Sequence, residues 1–394
     1  MAKTTVLSVI ARLNVGGPAQ TLTAVLDGLP DDRFDQVLAV GAPDDGEEDW
    51  VALRAPWLAD DPRVRRIPSL GRPVRPRQDN AAYRQLRSLI RYVKPDIVHT
   101  HTAKAGMLGR VSARREGVPA TVHTFHGHLL QGYFNTAPTA GVRLVERQLA
   151  GRTDALLSVG ARVRDELLDA GIGRPERYVV VPPGVPEPAQ HEPAAARAAL
   201  GLPTDRPIVA FVARLTDVKR PDRLLEVAER VASQMPDAIF VVGGGAEPDE
   251  LDRLWASVER ADVRFFGWIA DVGQIYAAAD LVLLTSDAEG MPVSLIEAGL
   301  CGRACVASDV GSVGEVVLDS RTGRVVPPDA TALADAVIEL LRDDERRDLY
   351  GAAARHHTRE VFSLDRLIDT TEQVYDAVLA GGPLPGGPPA AGFR

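Results

Sequence analysis

Two carboxylates and two cations stand out by type and spacing. Glu289 and Glu297 lie eight residues apart in Ser286-Asp287-Ala288-Glu289-Gly290-Met291-Pro292-Val293-Ser294-Leu295-Ile296-Glu297. Each carboxylate can accept hydrogen bonds from vicinal hydroxyls, so a pair flanking a backbone-rich loop suits a polyhydroxylated ligand. Singly, Glu289 would cap the helix that starts near Pro292 and Glu297 would be a helix-surface charge; together at a strand end they outweigh that reading. Arg214 and Lys219, in Ala213-Arg214-Leu215-Thr216-Asp217-Val218-Lys219-Arg220-Pro221, set two cations beside a helix beginning at Pro221. Cations at a helix N-terminus favour a multiply charged anion such as a diphosphate. The plainer alternative is a surface salt-bridge loop. The chain has no Asp-x-Asp, so a metal-held diphosphate would lack its usual acids, and no metal is expected.

Histidines and glycines mark other strand ends. In Thr121-Val122-His123-Thr124-Phe125-His126-Gly127-His128, alternation puts His123 inside a strand as a core residue and His126 beyond its end, beside a glycine. His99 and His101 flank Thr100 at the preceding strand end. No carboxylate interleaves with these histidines at metal-ligand spacing, which disfavours zinc. Gly16-Gly17 sits between the first strand and first helix, where a backbone can approach a ligand, and Pro18 suits a first helical turn. Gly243-Gly244-Gly245-Ala246 is another strand-end loop. Phe265-Phe266-Gly267-Trp268 ends a strand with aromatics that read as core or as a platform for a planar base.

Strands and helices must alternate to position these groups. Strand patterns at residues 5–11, 34–40, 96–99, 120–124, 155–159 and 178–181 alternate with helix patterns, which calls for a parallel sheet covered on both faces. The proline-rich stretch from Pro182 to Pro193 forbids regular structure and acts as a stiff connector. A second series of strands follows at 207–213, 239–242, 263–266, 281–284, 304–307 and 323–326, and helices close the chain. The domains expected are residues 1–185 and 186–362, a returning helix at 363–380, and a disordered Gly/Pro-rich tail at 381–394. In an open α/β sheet ligands bind beyond the carboxyl ends of strands, which is where Glu289, Arg214 and His126 fall.

The bulk numbers exclude several classes. With 394 residues the chain exceeds a typical single core, and 45% hydrophobic with 25% charged residues is ordinary for a soluble globular protein. No run reaches the length of a membrane helix and the start lacks a signal-peptide pattern, so a cytoplasmic protein is expected. A net charge of −9 argues against nucleic acid as the main partner. The segment 63–77 nevertheless carries Arg63, Arg65, Arg66, Arg72, Arg75 and Arg77 without an acid. It reads as a solvated loop, or as a peripheral contact for anionic headgroups or an acceptor phosphate. Cys301 and Cys305 read as core thiols.

In their order, the Gly-Gly turn, the strand-end His-Gly, the Arg-x4-Lys pair and the E-x7-E element resemble the retaining GT-B glycosyltransferases of glycosyltransferase family 4, and the match covers nearly the whole chain. The resemblance implies an α/β GT-B fold. Its two Rossmann-like doubly wound domains face across a cleft, an acceptor-binding N-terminal one and a nucleotide-sugar-binding C-terminal one, with a C-terminal helix crossing back to the first. It implies transfer from a nucleotide-diphosphate sugar, uridine-linked, to a hydroxyl acceptor in surface polysaccharide or glycolipid assembly or in a natural-product glycoside. By position, Gly16 and Gly17 would approach the diphosphate or reacting sugar, Arg214 and Lys219 would hold the diphosphate, and His126 would contact the sugar near its 6-position. Glu289 would bind sugar hydroxyls and Glu297 the ribose, with Gly244, Gly267, Gly290, Met291, Pro292 and Val293 also lining the donor. Pro292 departs from the family, which commonly has a glycine there, and supplies no N–H. A nucleotide-sugar epimerase and a non-catalytic sugar-nucleotide-binding relative remain as alternatives on this scaffold.

Overall fold

A computed structural model describes residues 3–42, 49–71, 74–127, 136–245 and 258–386, the side chains of 136–140 excepted. Arg72, His128, Ala246 and the tail from 387 lie outside the described residues. The chain forms two compact units, Met1–Gly184 together with Leu364–Arg394, and Val185–Ser363.

The first unit holds a parallel sheet of β1 (Thr4–Ile10), β2 (Phe34–Val40), β3 (Val64–Arg66), β4 (Ile97–His101), β5 (Ala120–Phe125), β6 (Ala155–Ser158) and β7 (Tyr178–Val180), in the order β3-β2-β1-β4-β5-β6-β7. Helices cover both faces, so the central strands read as apolar runs: Val6, Leu7, Val9 and Ile10 of β1 are all buried. β4 and β5 break this rule at their carboxyl ends, where His99, Thr100, His101, His123 and Thr124 are buried instead. Strand β4 runs to His101, so that residue lies in the strand and pairs with Thr124 rather than following the strand end. Segment 63–77, read as a loop, contains the three-residue edge strand β3 paired with β2. Its arginines suit an edge that must not recruit another strand, and Arg63 is engaged by Asp61 and Asp27.

The last helix, Leu364–Ala380, belongs to this first unit. Leu367, Val374 and Tyr375 enter a core shared with Val6, Phe34, Ile97 and Val122. Gly28 is small because Ile368 packs on it: a Cβ there would come within 2.5 Å of the Ile368 Cδ1. Arg33 meets both Glu372 and Asp376 on the same helix. Beyond the helix end residues 382–386 carry no helix or strand, and Leu384 packs against this same core.

The second unit repeats the architecture with β8 (Ile208–Val212), β9 (Ile239–Gly243), β10 (Asp262–Gly267), β11 (Leu281–Leu284), β12 (Ala304–Ser308) and β13 (Gly323–Val326), in the order β10-β9-β8-β11-β12-β13. Val209, Phe211, Phe240, Val242, Leu281 and Leu283 form its core with helices Pro221–Ala232 and Ala330–Leu341. One device sets register in both units. Asp96, Asp154 and Asp280 each precede a strand and accept the backbone N–H of a neighbouring strand, from Thr5, Thr121 and Ile208 at 2.7–2.8 Å. The strand order reverses between β1 and β4 and between β8 and β11, and such reversals open a crevice at the carboxyl ends.

Candidate functional site

At the reversal in the second unit, the loop after β8 meets the loop after β11. Lys219 closes a single 3-10 turn, Asp217–Lys219, and its Nζ lies 2.5 Å from Oε1 of Glu289. The Ser286 hydroxyl donates to the same oxygen at 2.5 Å. Glu289 is 8% exposed and Lys219 23%, so the pair is shielded but reachable. Oε2 of Glu289 has no hydrogen-bond partner among the described residues, and the lysine has two further N–H groups. The cluster therefore offers an acceptor and a cation side by side.

The backbone beneath is held from several sides. The Thr285 hydroxyl donates to the Lys219 carbonyl at 2.9 Å, and the Asp287 N–H donates to the Val218 carbonyl at 2.9 Å. Arg223, buried, donates to the Thr285 carbonyl at 2.7 Å and to Asp287 at 2.6 Å. Gly311, at φ +48°, packs so closely on Glu289 that a Cβ would stand 1.8 Å from the Glu289 carbonyl oxygen. The Ser312 N–H donates to the Gly290 carbonyl at 3.2 Å. Arg214 is exposed, and none of the described residues bonds its guanidinium. The structure thus brings Lys219 to Glu289 but leaves Arg214 outside that cluster.

Glu297 lies one turn into helix Val293–Leu300, which Pro292 precedes as its N-cap. The Tyr276 hydroxyl, wholly buried, donates to Oε2 of Glu297 at 3.0 Å. Burial and the nearby carboxylate push that phenol well above its ordinary pKa, so it remains a donor. Met291 is buried and Val293 half-buried at the helix start. Gly244 is explained by packing: at φ +147° a Cβ would lie 1.8 Å from the Ala213 carbonyl, and its N–H donates to Gly267 at 2.8 Å. Of the aromatics flanking Gly267, Phe265 packs against the core, whereas Trp268 is exposed.

In the first unit Gly16 is the N-cap of helix Gly17–Gly28, and among the described residues a Cβ there would meet only the Pro18 ring, at 3.9 Å. After β5, His126 is half-buried, with Nε2 3.0 Å from Nδ1 of His101. His99 sits between the Tyr375 hydroxyl and the Thr124 hydroxyl, at 2.7 Å from each, and His123 bonds Thr100 at 2.8 Å. Burial lowers all four imidazole pKa values, His126 to about 4 and His99 to about 3, His101 and His123 well below 6.5. All four are neutral near pH 7. Among the described residues no group of three or more His, Cys, Asp or Glu could hold a metal ion.

Ser286, Tyr276, Gly311 and Arg223 escape a reading of the sequence. Ser286 stands in the strand-end loop itself, three residues before Glu289, and that position is its one signal in the sequence. Tyr276 and Gly311 lie on other elements, where a tyrosine in an apolar helix or a glycine after a strand carries no distinctive signal.

Comparison with known proteins bears on both units. Residues 15–187 match the description Glycosyltransferase Family 4, and residues 194–357 match Glycosyl transferases group 1. The alpha-maltose-1-phosphate synthase of Mycolicibacterium smegmatis is 31% identical over 72% of this chain and 79% of its own. The UDP-Gal:alpha-D-GlcNAc-diphosphoundecaprenol alpha-1,3-galactosyltransferase of Escherichia coli is 28% identical over 81% of this chain and 85% of its own. Among solved structures, Anabaena HepE in complex with UDP and glucose superposes with a TM-score of 0.78 at 21% identity, covering 95% of this chain and all of that one.

Proposed function

Since the chain belongs to glycosyltransferase family 4, with the GT-B fold, we propose that this glycosyltransferase is a retaining enzyme taking its sugar from a uridine-diphosphate donor. The carrying observation is the cluster of Lys219, Glu289 and Ser286 where β8 and β11 diverge. Departure of a nucleoside diphosphate builds negative charge on its phosphate oxygens. Lys219, with two N–H groups to spare, and Arg214, with its guanidinium exposed, would stabilise that charge more in the transition state than in the bound donor. Their charge serves in place of a metal ion.

Glu289, its Oε1 engaged by Lys219 and Ser286, has Oε2 left to accept sugar hydroxyls, and Glu297 takes the ribose. His126 contacts the sugar near its 6-position, and Gly16 and Gly17 let backbone approach the diphosphate or reacting sugar. Met291, Pro292, Val293 and Gly290 lie along the same loop and helix start, and Gly244 and Gly267 shape the turn beside β9. The bond from the anomeric carbon to phosphate breaks while the acceptor oxygen bonds that carbon on the same face, and the leaving phosphate takes the acceptor proton. The uridine assignment draws support from the galactosyltransferase and HepE, whose names carry UDP. The acceptor class, a glycan or glycolipid hydroxyl ahead of a small-molecule glycoside, draws on the galactosyltransferase named for a diphosphoundecaprenol acceptor. A cytoplasmic enzyme with exposed Arg65, Arg66 and Arg75 could then work at an anionic membrane surface.

The test is a thermal-shift screen of nucleotide-diphosphate sugars, because a ligand that binds the native state alone raises its melting temperature. A UDP-sugar should stabilise the protein, and Glu289→Gln should weaken that shift. No response to any nucleotide sugar would sink the donor assignment. Formation of an epimer from donor alone would show a different reaction.

A further inference from the structure

The imidazoles at the ends of β4 and β5 form a stack that the reading above uses only at His126. His99 and His101 lie ring to ring with centroids 4.3 Å apart, and His101 and His126 follow at 5.2 Å. His99 is anchored at one nitrogen by the Tyr375 hydroxyl of the last helix and at the other by Thr124, each at 2.7 Å. A hydroxyl can donate or accept, so these two contacts fix the His99 ring without fixing its proton. The contact from His101 to His126 behaves differently, because it joins two ring nitrogens.

A neutral imidazole has one N–H and one lone pair, so the 3.0 Å contact between His101 Nδ1 and His126 Nε2 holds a single proton. If that proton belonged to His126, the proton of His101 would sit on its Nε2. That nitrogen is buried and has no hydrogen-bond partner among the described residues, and His101 is 3% exposed. A buried N–H with nothing to donate to is the costlier and rarer orphan, whereas a bare lone pair in the same place loses less. The proton therefore resides on Nδ1 of His101, and His126 accepts at Nε2. Its own proton must then be on Nδ1, which has no partner among the described residues.

We propose that His101 is a positioning residue that locks His126 in its Nδ1–H tautomer, so that the His126 ring presents a hydrogen-bond donor to an oxygen of the bound sugar donor. The ligand half of this statement rests on the role given to His126 above; the tautomer rests on the stack alone. His101 also fixes the ring's direction, since its own plane is held against His99, and His99 is held by Tyr375. The last helix thus reaches the His126 ring through two stacked imidazoles within the first unit.

Long-range nitrogen–proton correlation spectra of the full chain labelled in histidine nitrogen, at pH 7.5, decide the matter. Signals are assigned with His126→Gln and His101→Asn. His126 should show a protonated Nδ1 and an unprotonated Nε2; the reverse pattern, or rapid exchange between both, overturns the proposal. This spectrum reads the tautomer whether or not sugar transfer is detected, so failure of the transferase reading is distinguishable. His101→Asn keeps an amide N–H near the place of Nδ1 and should retain the His126 tautomer, with kcat within about threefold of the parent protein. His101→Leu removes the donor; the Nδ1–H signature should be lost and kcat should fall about tenfold or more. Equal kcat and an unchanged His126 spectrum in His101→Leu would overturn the positioning role.

Discussion

At the scale of single residues, charge is shared before it is used. Lys219 is already engaged by Glu289, so the cation and the hydroxyl acceptor are positioned as one unit rather than as two independent side chains. Replacing Lys219 by Ala leaves Ser286 to hold the carboxylate but removes the charge that meets the leaving group. Turnover should drop about 10²–10³-fold, the usual cost of one such electrostatic contact, with the melting temperature almost unchanged. Steady-state kinetics beside a thermal melt reads both, and full activity would remove Lys219 from the mechanism. Tyr276 acts at one remove, through Glu297. Tyr276→Phe deletes a hydrogen bond to a carboxylate, a contact of about 1.5–3 kcal/mol, and should raise the donor KM about tenfold while kcat holds. A fall in kcat at constant KM would instead tie Glu297 to the chemical step. Glu289 and Lys219 were recognisable from the sequence by their strand-end settings. Their direct contact was not, because 70 residues separate them.

At the scale of elements, the site depends on close backbone approach as much as on side chains. Gly311 belongs to the loop after β12, and its lack of a Cβ admits the Glu289 carbonyl. Gly311→Ala meets both a left-handed φ and a backbone clash, each of which opposes the native loop. The variant should lose about 1–3 kcal/mol of stability and lose turnover more than that predicts, because Glu289 must move. Chemical denaturation compared with kcat at a temperature where the variant is fully folded checks this; native turnover would show that Glu289 keeps its place. The register aspartates illustrate the same dependence. Asp96, Asp154 and Asp280 lock strand starts, and so determine which side chains stand at the far ends. In the sequence, the buried strands and their helices were readable from apolar runs and periodicity. The short β3 was not, because an edge strand rich in arginine has no apolar run to reveal it.

At the scale of the whole molecule, the first unit keeps four histidines neutral in one place. In the unfolded chain each takes a proton near pH 6.5, whereas in the fold His126 resists until about 4 and His99 until about 3. Between pH 6.5 and 4 the unfolded chain therefore binds more protons than the native one, and stability falls as pH is lowered. Above pH 6.5 the two states bind equally at these sites and this contribution is flat. The melting temperature should hold from pH 8 to 7 and then decline by several degrees toward pH 4.5, since each kcal/mol is worth roughly 2–4 °C in a unit of this size. A melting temperature that rises on acidification below 6.5 would show that the cluster is charged in the fold. The last helix completes that unit from the far end of the chain, supplying Tyr375 to His99 and Leu367 and Val374 to the core. By itself the sequence determined the two α/β halves, the proline-rich passage between them, and the residue types gathered at strand ends, because apolar periodicity and turn chemistry are local properties. Tertiary structure alone decided which strand ends are neighbours. Parallel pairing puts β8 beside β11 and β4 beside β5, and only then do Lys219 and Glu289, or His101 and His126, come within hydrogen-bond reach. Pairing between distant strands depends on burial and register summed over whole sheets, which no short stretch of sequence contains.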